Sequence, residues 1–416
     1  MLKNKLLSWL PNLKREVWIL AAGRLLSQVG TGFTLFYAPI FFVNEVGLSA
    51  TLVGIALGSA SVSGIFGRFI AGSLADSPQW GRRPTLLLSA FISAIADVFL
   101  ALTYNFPILV IGNLLMGLGI GLYWPATEAA VADLTTIENR NEAFAITRLA
   151  DTLGLGIGVI LGGVLIAAEW NYRWLFVIDG ISFVVFFAVI YFAIAETYSF
   201  TPQQPQTVSQ NWIVAFSDRR LMIFAIVNIL FTTYIAQTQS TIPLYFNNFV
   251  SGTGEEIGFS GSTISALFAW HIAFAALCQL PIARFLNRFS RPSALMLSLL
   301  SWGIGFTLIW VTGIVSNHAL IPAVFALGIM AIGMVSYTPS ASGLVVELAP
   351  ESLRGVYLSI NSQCWAVGYF IGPAIGGWAM DQPRIIADTF WLIAAASIVL
   401  GLLILQYLDR LLSKSN

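Results

Sequence analysis

Twelve stretches of mostly apolar residues, each long enough to matter, alternate with short polar breaks along the chain. A helix needs about 20 such residues to cross the hydrocarbon core of a bilayer. By that ruler the spans fall at 16–43, 50–75, 84–104, 107–133, 141–168 and 172–195, then at 219–247, 259–286, 291–314, 318–346, 353–380 and 386–408. The longest break, 196–218, contains the polar run TPQQPQTVSQ. It separates an N-terminal half, 1–195, from a C-terminal half, 219–416, and reads as a cytoplasmic linker. The pattern predicts an all-α integral membrane protein with 12 transmembrane helices.

Composition strengthens this reading. Of 416 residues, 57% are hydrophobic and only 10% charged, and the mean hydropathy is +0.81. Soluble domains carry roughly 25% charged residues, so too few charges remain here to cover a water-facing surface. The net charge of zero disfavours a nucleic-acid partner, which needs a clustered basic surface. Cys278 and Cys364 both lie in apolar runs and read as small buried residues. The opening MLKNKLLSWLPNLKREVW is basic and broken by Pro11, as a cytoplasmic lead-in to the first span would be. There is no Walker loop, no His-Glu-x-x-His, no Cys/His metal spacing and no evident nucleophile–His–acid set. ATP-driven pumping and intramembrane catalysis are therefore disfavoured, and no cofactor is expected.

The basic residues set the orientation. With twelve spans and a cytoplasmic N-terminus, 17 of 20 Lys and Arg residues fall on the cytoplasmic side. Arg173 and Arg384 fall outside and Arg24 falls within a span. Both termini are then cytoplasmic, and the short loops fit a prokaryotic inner membrane.

The halves repeat. At an offset of 214 residues Pro125 pairs with Pro339, Asp133 with Glu347, Arg140 with Arg354, Gly154 with Gly368 and Gly158 with Gly372. Gly162–Gly163 pairs with Gly376–Gly377 at the same offset. Apolar composition alone would not align a proline, an acid, an arginine and paired glycines. Six spans plus six in parallel repeat is the plan of one large transporter class.

Between spans two and three the chain reads Gly72-Ser73-Leu74-Ala75-Asp76, then Gly81-Arg82-Arg83. This resembles the loop signature of the major facilitator superfamily, with two extra residues between its Asp and Gly and without its first Arg. A worn copy follows span eight, with Asn287 for the acid and Ser290 for the glycine. Arg24 and Gly30 in span one and the Gly-rich span five are similar to the twelve-span drug:proton antiporter branch. The Gly-Pro-x-x-Gly-Gly element usual in span five of that branch stands instead in span eleven, as Gly372-Pro373-Ala374-Ile375-Gly376-Gly377, with Val159 at the matching proline position. The resemblance covers the whole chain. It implies the major facilitator fold of two pseudo-symmetric six-helix bundles, working as a monomer in the lipid bilayer. Spans 1, 4, 7 and 10 would line a cavity that opens alternately to either side.

Roles follow for particular residues. Asp76, Arg82, Arg83 and Asp133 are expected to form a cytoplasmic latch, with Arg82 bonded to Asp133, and Glu347 with Arg288 or Arg291 a second one. The latch alternative is that these arginines serve topology alone. Charged groups inside a membrane are costly and point to function. Arg24, Glu128, Asp97 and His271 are therefore the coupling candidates. A partly desolvated Glu128 suits a proton carrier, or it bridges Arg24 statically. Asp151 follows Arg148 by three residues and is expected to pair with it, and Asp179 is expected near the outer interface. Gln28, Tyr37, Tyr123, Trp124, Tyr234, Gln237, Trp270, Tyr337, Gln363 and Trp365 form a polar-aromatic set suited to an amphipathic ligand. The small faces carrying Gly154, Gly158, Gly162, Gly163, Gly368, Gly372, Pro373, Gly376 and Gly377 are expected to pack the two halves together. The resulting expectation is a secondary transporter of a small, amphipathic molecule, coupled to protons and directed outward. Proton-coupled uptake of a metabolite, and a non-transporting sensor or lipid-handling role on the same scaffold, stay open.

Overall fold

A computed structural model describes residues 13–75, 79–136, 140–197, 208–250, 257–286, 288–350 and 353–413. Its long helices are α1 (Arg15–Leu35), α2 (Ala50–Ala75), α3 (Arg82–Ala101), α4 (Phe106–Asp133), α5 (Arg140–Ala167), α6 (Arg173–Ala193), α7 (Arg219–Gln239), α8 (Gly261–Leu286), α9 (Arg291–Ile314), α10 (Leu320–Leu348), α11 (Arg354–Met380) and α12 (Arg384–Ser413). Short helical segments, Ala38–Ile40 with Phe41–Glu45 and Thr241–Asn248, extend α1 and α7. A further helix, Val208–Ser217, lies in the stretch expected to link the halves. Among the described residues 11 helices are long and apolar enough to cross a membrane. The remaining long helix, α11, has 27 residues. Its polar run Ser359, Asn361, Ser362 and Gln363 dilutes its hydropathy.

Helix ends fall where local chemistry sets them. Asn105 caps α4 by accepting from the Ile108 amide at 3.1 Å, with Pro107 in the first turn where no amide is needed. Asp218 caps α7 through the Arg220 amide at 2.9 Å. Asp381 accepts from the amides of Ala50 and Thr51 at 2.8 and 2.7 Å and so satisfies the start of α2.

The chain divides into two compact units. The first holds residues 1–37 and 59–202, and the second holds 38–58 and 203–416. The stretch 38–58, expected with the first half, thus clusters with the C-terminal helices. In the first unit α1 packs on α5 and α6, and α3 packs on α4 and α6. In the second α7 packs on α11, α9 on α10 and α12, and α8 on α10. The repeat reaches atomic detail. Ser89 of α3 donates to the Gly119 carbonyl of α4 at 2.9 Å, and Ser298 of α9 donates to the Gly333 carbonyl of α10 at 2.6 Å. Arg173 donates to the Ala101 and Thr103 carbonyls at the end of α3, and Arg384 to the Gly313 carbonyl at the end of α9. The two basic residues left outside by the charge count thus each secure the end of a third helix.

Glycines set the close crossings. A Cβ on Gly121 of α4 would lie 2.5 Å from the Gly64 carbonyl of α2 and 2.9 Å from the Gly67 Cα. Such approaches replace the hydrophobic drive that lipid cannot supply between helices. The glycine stripe of α5 is used within its own unit, contrary to the expectation that it packs the halves together. Gly158 would place a Cβ 2.9 Å from the Gly32 Cα of α1, and Gly162 2.9 Å from the Tyr37 ring. Gly154 opens on the Leu25 carbonyl and the Gln28 side chain of α1. A small face admits one backbone, and α1 already occupies it. Gly163 is buried on the same helix. In the second unit Gly368, Gly372 and Gly376 meet α7 and the residues just after it, chiefly Thr232, Ala236 and Thr241. Gly377 meets Ala50 and Thr51, and the Pro373 carbonyl meets Gly54.

Candidate functional site

In the first unit, charged and aromatic side chains from α1, α4 and α5 meet at one place. Arg24 is 1% exposed and grips Asp151 of α5 with two parallel bonds, Nε to Oδ1 at 3.0 Å and Nη2 to Oδ2. A guanidinium and a carboxylate in this bidentate form make the strongest of side-chain hydrogen bonds. The guanidinium lies 5.7 Å from the Tyr123 ring centre and 5.5 Å from that of Trp124. Arg148 also stands 4.8 Å from the Trp124 ring and bonds Glu128 at 2.7 Å. Trp124 thus touches a cation of both a buried ion pair and one whose members are 57% and 46% exposed. The charge of Glu128 also acts on Arg68 of α2.

This pairing reverses the expected one. Asp151 does not take its neighbour Arg148, and Glu128 does not bridge Arg24. The reason is helical direction: α5 turns Asp151 towards α1 and Arg148 towards α4, so each acid meets the cation that tertiary packing brings. Gln28 is half-buried one turn beyond Arg24. Tyr123 packs edge-on against Trp124 and Phe186, and its hydroxyl is buried without a hydrogen-bond partner. Tyr37, 1% exposed, donates to the Val159 carbonyl at 3.2 Å and braces α1 on α5.

The second unit holds a neutral counterpart. Tyr337 of α10 donates to the Asn228 side-chain oxygen of α7 at 2.5 Å, and the Asn228 amide donates to Asn361 of α11 at 2.9 Å. Phe231 stacks on Tyr337 at 4.6 Å, Trp365 lies 5.9 Å from it, and Tyr369 lies 5.8 Å beyond. Gln363 is half-buried two residues after Asn361. Sequence reasoning found Tyr337, Gln363 and Trp365 but missed Asn228 and Asn361; an amide within an apolar span was the available signal. The other members of the polar-aromatic set take packing positions. Tyr234 meets Ser397 at 2.5 Å and packs on Phe306, Gln237 donates to the Gly372 carbonyl at 2.9 Å, and Trp270 donates to the Val324 carbonyl at 3.2 Å. His271 is 5% exposed, with Nδ1 2.8 Å from the Leu327 carbonyl.

Where α3 meets the end of α4, and α9 the end of α10, both anticipated ion pairs form. Arg82 bonds Asp133 at 3.2 Å, and Arg291, not Arg288, bonds Glu347 at 3.1 Å. Arg288 is exposed, and Asp76 lies outside the described residues. Glu196, which sequence reasoning passed over, accepts from the Arg82 and Arg83 amides at 3.0 and 3.1 Å and so caps α3. Gly81, at φ +90, lets its carboxylate approach; a Cβ there would lie 2.6 Å from it. Arg83 donates to the Tyr191 carbonyl at 2.6 Å. At the start of α9, Ser290 donates to Asp409 at 3.1 Å.

Known proteins share this plan. "Uncharacterized MFS-type transporter YttB" of Bacillus subtilis is 25% identical over 380 residues, covering 88% of this chain and 89% of that one. "Multidrug resistance protein MdtH" of Salmonella typhimurium is 25% identical over 354 residues, 84% and 82% of the two chains. Among solved structures, nucleoside transporter NupG superposes with a TM-score of 0.78 at 16% identity, over 95% of this chain and all of that one. Peptide transporter POT in complex with sulfate gives 0.76 at 17% identity over 98% of each chain. At such identities these structures speak for the fold alone. A family model matches residues 20–254 and again 246–415, which is nearly the whole chain. The chain belongs to the Major Facilitator Superfamily, as a multi-pass membrane transporter and not an enzyme.

Proposed function

We propose that this transporter exports a small amphipathic molecule in exchange for protons, from a bacterial inner membrane with both termini in the cytoplasm. The observation that carries the reading is the Arg24–Asp151 pair joined through Trp124 to the Glu128–Arg148 pair. The inner pair fixes a charge that lipid alone would not tolerate. The outer pair is the exchangeable one. Protonating Glu128 removes the partner of Arg148 and frees a cation and an indole face beside it. Within each unit the aromatic and amide groups, Trp124 and Gln28 in the first and Asn228, Tyr337 and Trp365 in the second, suit an amphipathic ligand, with few fixed charges to demand one on the substrate. The multidrug relatives favour the outward direction. Arg82–Asp133 and Arg291–Glu347 act in this scheme as latches between neighbouring helices that release as the two units rock.

The test is purified protein in liposomes under an imposed pH gradient, against lipophilic dyes, antibiotics, sugars and organic acids. Dye or drug movement that follows the gradient, and that loses this dependence in Glu128→Gln, is the expected result. Movement of a metabolite alone in the direction of the proton would replace export by uptake. Folded protein that moves none of these would point to sensing or lipid handling.

A further inference from the structure

The acid that the network leaves aside stands in an unusual setting. Asp97, about one turn before the end of α3, is 1% exposed, and neither of its carboxyl oxygens has a hydrogen-bond partner. Its side chain lies against Gly180 of α6, where a Cβ would come within 3.2 Å of the Asp97 Cβ and 3.9 Å of Oδ2. The residue before that glycine is a second acid, Asp179, also 1% exposed. The charge of Asp179 acts on Asp97. Asp179 in turn accepts from the Thr34 hydroxyl of α1 at 3.0 Å and faces Ser182 at 3.5 Å. The Cβ that Gly30 lacks would lie 2.5 Å from its Oδ1.

Among the described residues no cation is paired with either acid. Arg24 of α1 is held by Asp151, and Arg173 of α6 is turned to the carbonyls of Ala101 and Thr103. Tyr37 donates to Val159, and Tyr123 of α4 packs on Phe186. Glu128 and Asp133 of α4 pair with Arg148 and Arg82, and Arg83 at the start of α3 sits over Tyr191 of α6. Two buried carboxyl groups on facing helices, with no cation beside either among the described residues, disfavour both being ionised at once.

The second unit supplies an internal control. The matched serines, Ser89 and Ser298, relate α3 to α9, and the matched arginines, Arg173 and Arg384, relate α6 to α12. By the same offsets Phe306 stands where Asp97 does, and Phe390 where Asp179 does. Phe306 stacks with Trp391, the counterpart of Gly180, at 6.0 Å. The same helix pair is therefore closed by aromatic rings in one unit and by two acids and a glycine in the other. The fold does not need the acids. Asp97 lines a cavity of 370 Å³, otherwise walled by apolar residues of α3 and α6 such as Phe91, Val98, Ile181 and Val184.

We propose that Asp97 and Asp179 form a proton-binding site in the first unit, which carries one proton for the two acids and is separate from Glu128 and Arg148. Thr34 keeps Asp179 as the acceptor, and the apolar cavity keeps water from Asp97. The site does not depend on the export reading, because proton binding is read here without transport.

Infrared difference spectra of the full-length protein in lipid, parent against Asp97→Asn with Asp179→Asn, test it. The expected result is a protonated-carboxyl band near neutral pH in the parent that shifts in heavy water, disappears in the double variant and persists in Glu128→Gln. Identical parent and double-variant spectra in that region at every pH overturn the proposal. Should the double variant fail to fold, the parent is treated with a lipid-soluble carbodiimide, which adds only to a protonated carboxyl. Its adduct mapped by mass spectrometry to Asp97 or Asp179, and falling as pH rises, supports the pair. Its absence from both at all pH values, while Glu128 labels with a water-soluble carbodiimide, rejects it.

Discussion

Arg24 and Glu128 are both charged groups in spans, yet their energetics differ. Arg24 and Asp151 are 1% and 13% exposed. Removing one partner of such a pair strands the other and costs about 3–5 kcal/mol. Asp151→Asn should therefore lower the thermal midpoint in detergent strongly, and Arg24→Met combined with Asp151→Leu should recover much of the loss, because an apolar pair strands nothing. Glu128 and Arg148 are about half exposed, and exposed pairs contribute at most about 1 kcal/mol. Glu128→Gln should leave the midpoint nearly unchanged while altering the pH dependence of transport. A thermal-shift assay beside the liposome assay separates the structural pair from the exchangeable one.

Helices in lipid gain little by hiding apolar surface from one another, so the closeness of their crossings matters more. The α1–α5 crossing places Gly158 against the Val29 carbonyl and the Gly32 Cα. Gly158→Ala has no flexible neighbour to displace and should cost on the order of 1–3 kcal/mol. Gly328 of α10 is a contrast, since a Cβ there would meet Trp270 and Phe274 at 3.6 to 3.8 Å, ordinary contact distances. Gly328→Ala should be neutral or gain up to about 1 kcal/mol from reduced freedom of the unfolded chain. Thermal midpoints of the two variants, measured in one detergent, check the contrast. Capping acts at the same scale: Asp381→Ala strips the start of α2 of its acceptor and should cost about 1 kcal/mol.

Across the whole molecule, α2 carries a boundary within itself, because residues 38–58 cluster with the second unit and 59 onward with the first. Within the second unit Asn44 and Asn248 exchange reciprocal amide bonds at 2.8 and 2.9 Å. The proposed alternating-access cycle is expected to break this pairing at one stage. Asn44→Cys with Asn248→Cys, in a background lacking Cys278 and Cys364, should lose transport when joined by a short reducible thiol cross-linker and regain it with reductant. Unchanged transport after complete cross-linking would mean that this contact persists through the cycle.

Span positions were legible in the chain to within a few residues, from 50–75 for α2 to 291–314 for α9, because lipid imposes length and apolarity on each helix separately. The repeat was legible too, since proline, glycine and paired charges keep their spacing in both halves. The ion pair Arg82–Asp133 followed, and so did a partner for Glu347 with Arg288 and Arg291 both open, because the repeat had matched the two acids; packing then chose Arg291. Direction around a helix axis was not legible in spans apolar on every side, whose pattern marks no inward face. Only tertiary packing therefore decided that Asp151 meets Arg24, that the α5 glycines receive α1, and that Asp97 lies against Gly180 of α6. An acid inside a span announces itself in the sequence. Its partner depends on which helix stands opposite, and that is a property of the assembled bundle.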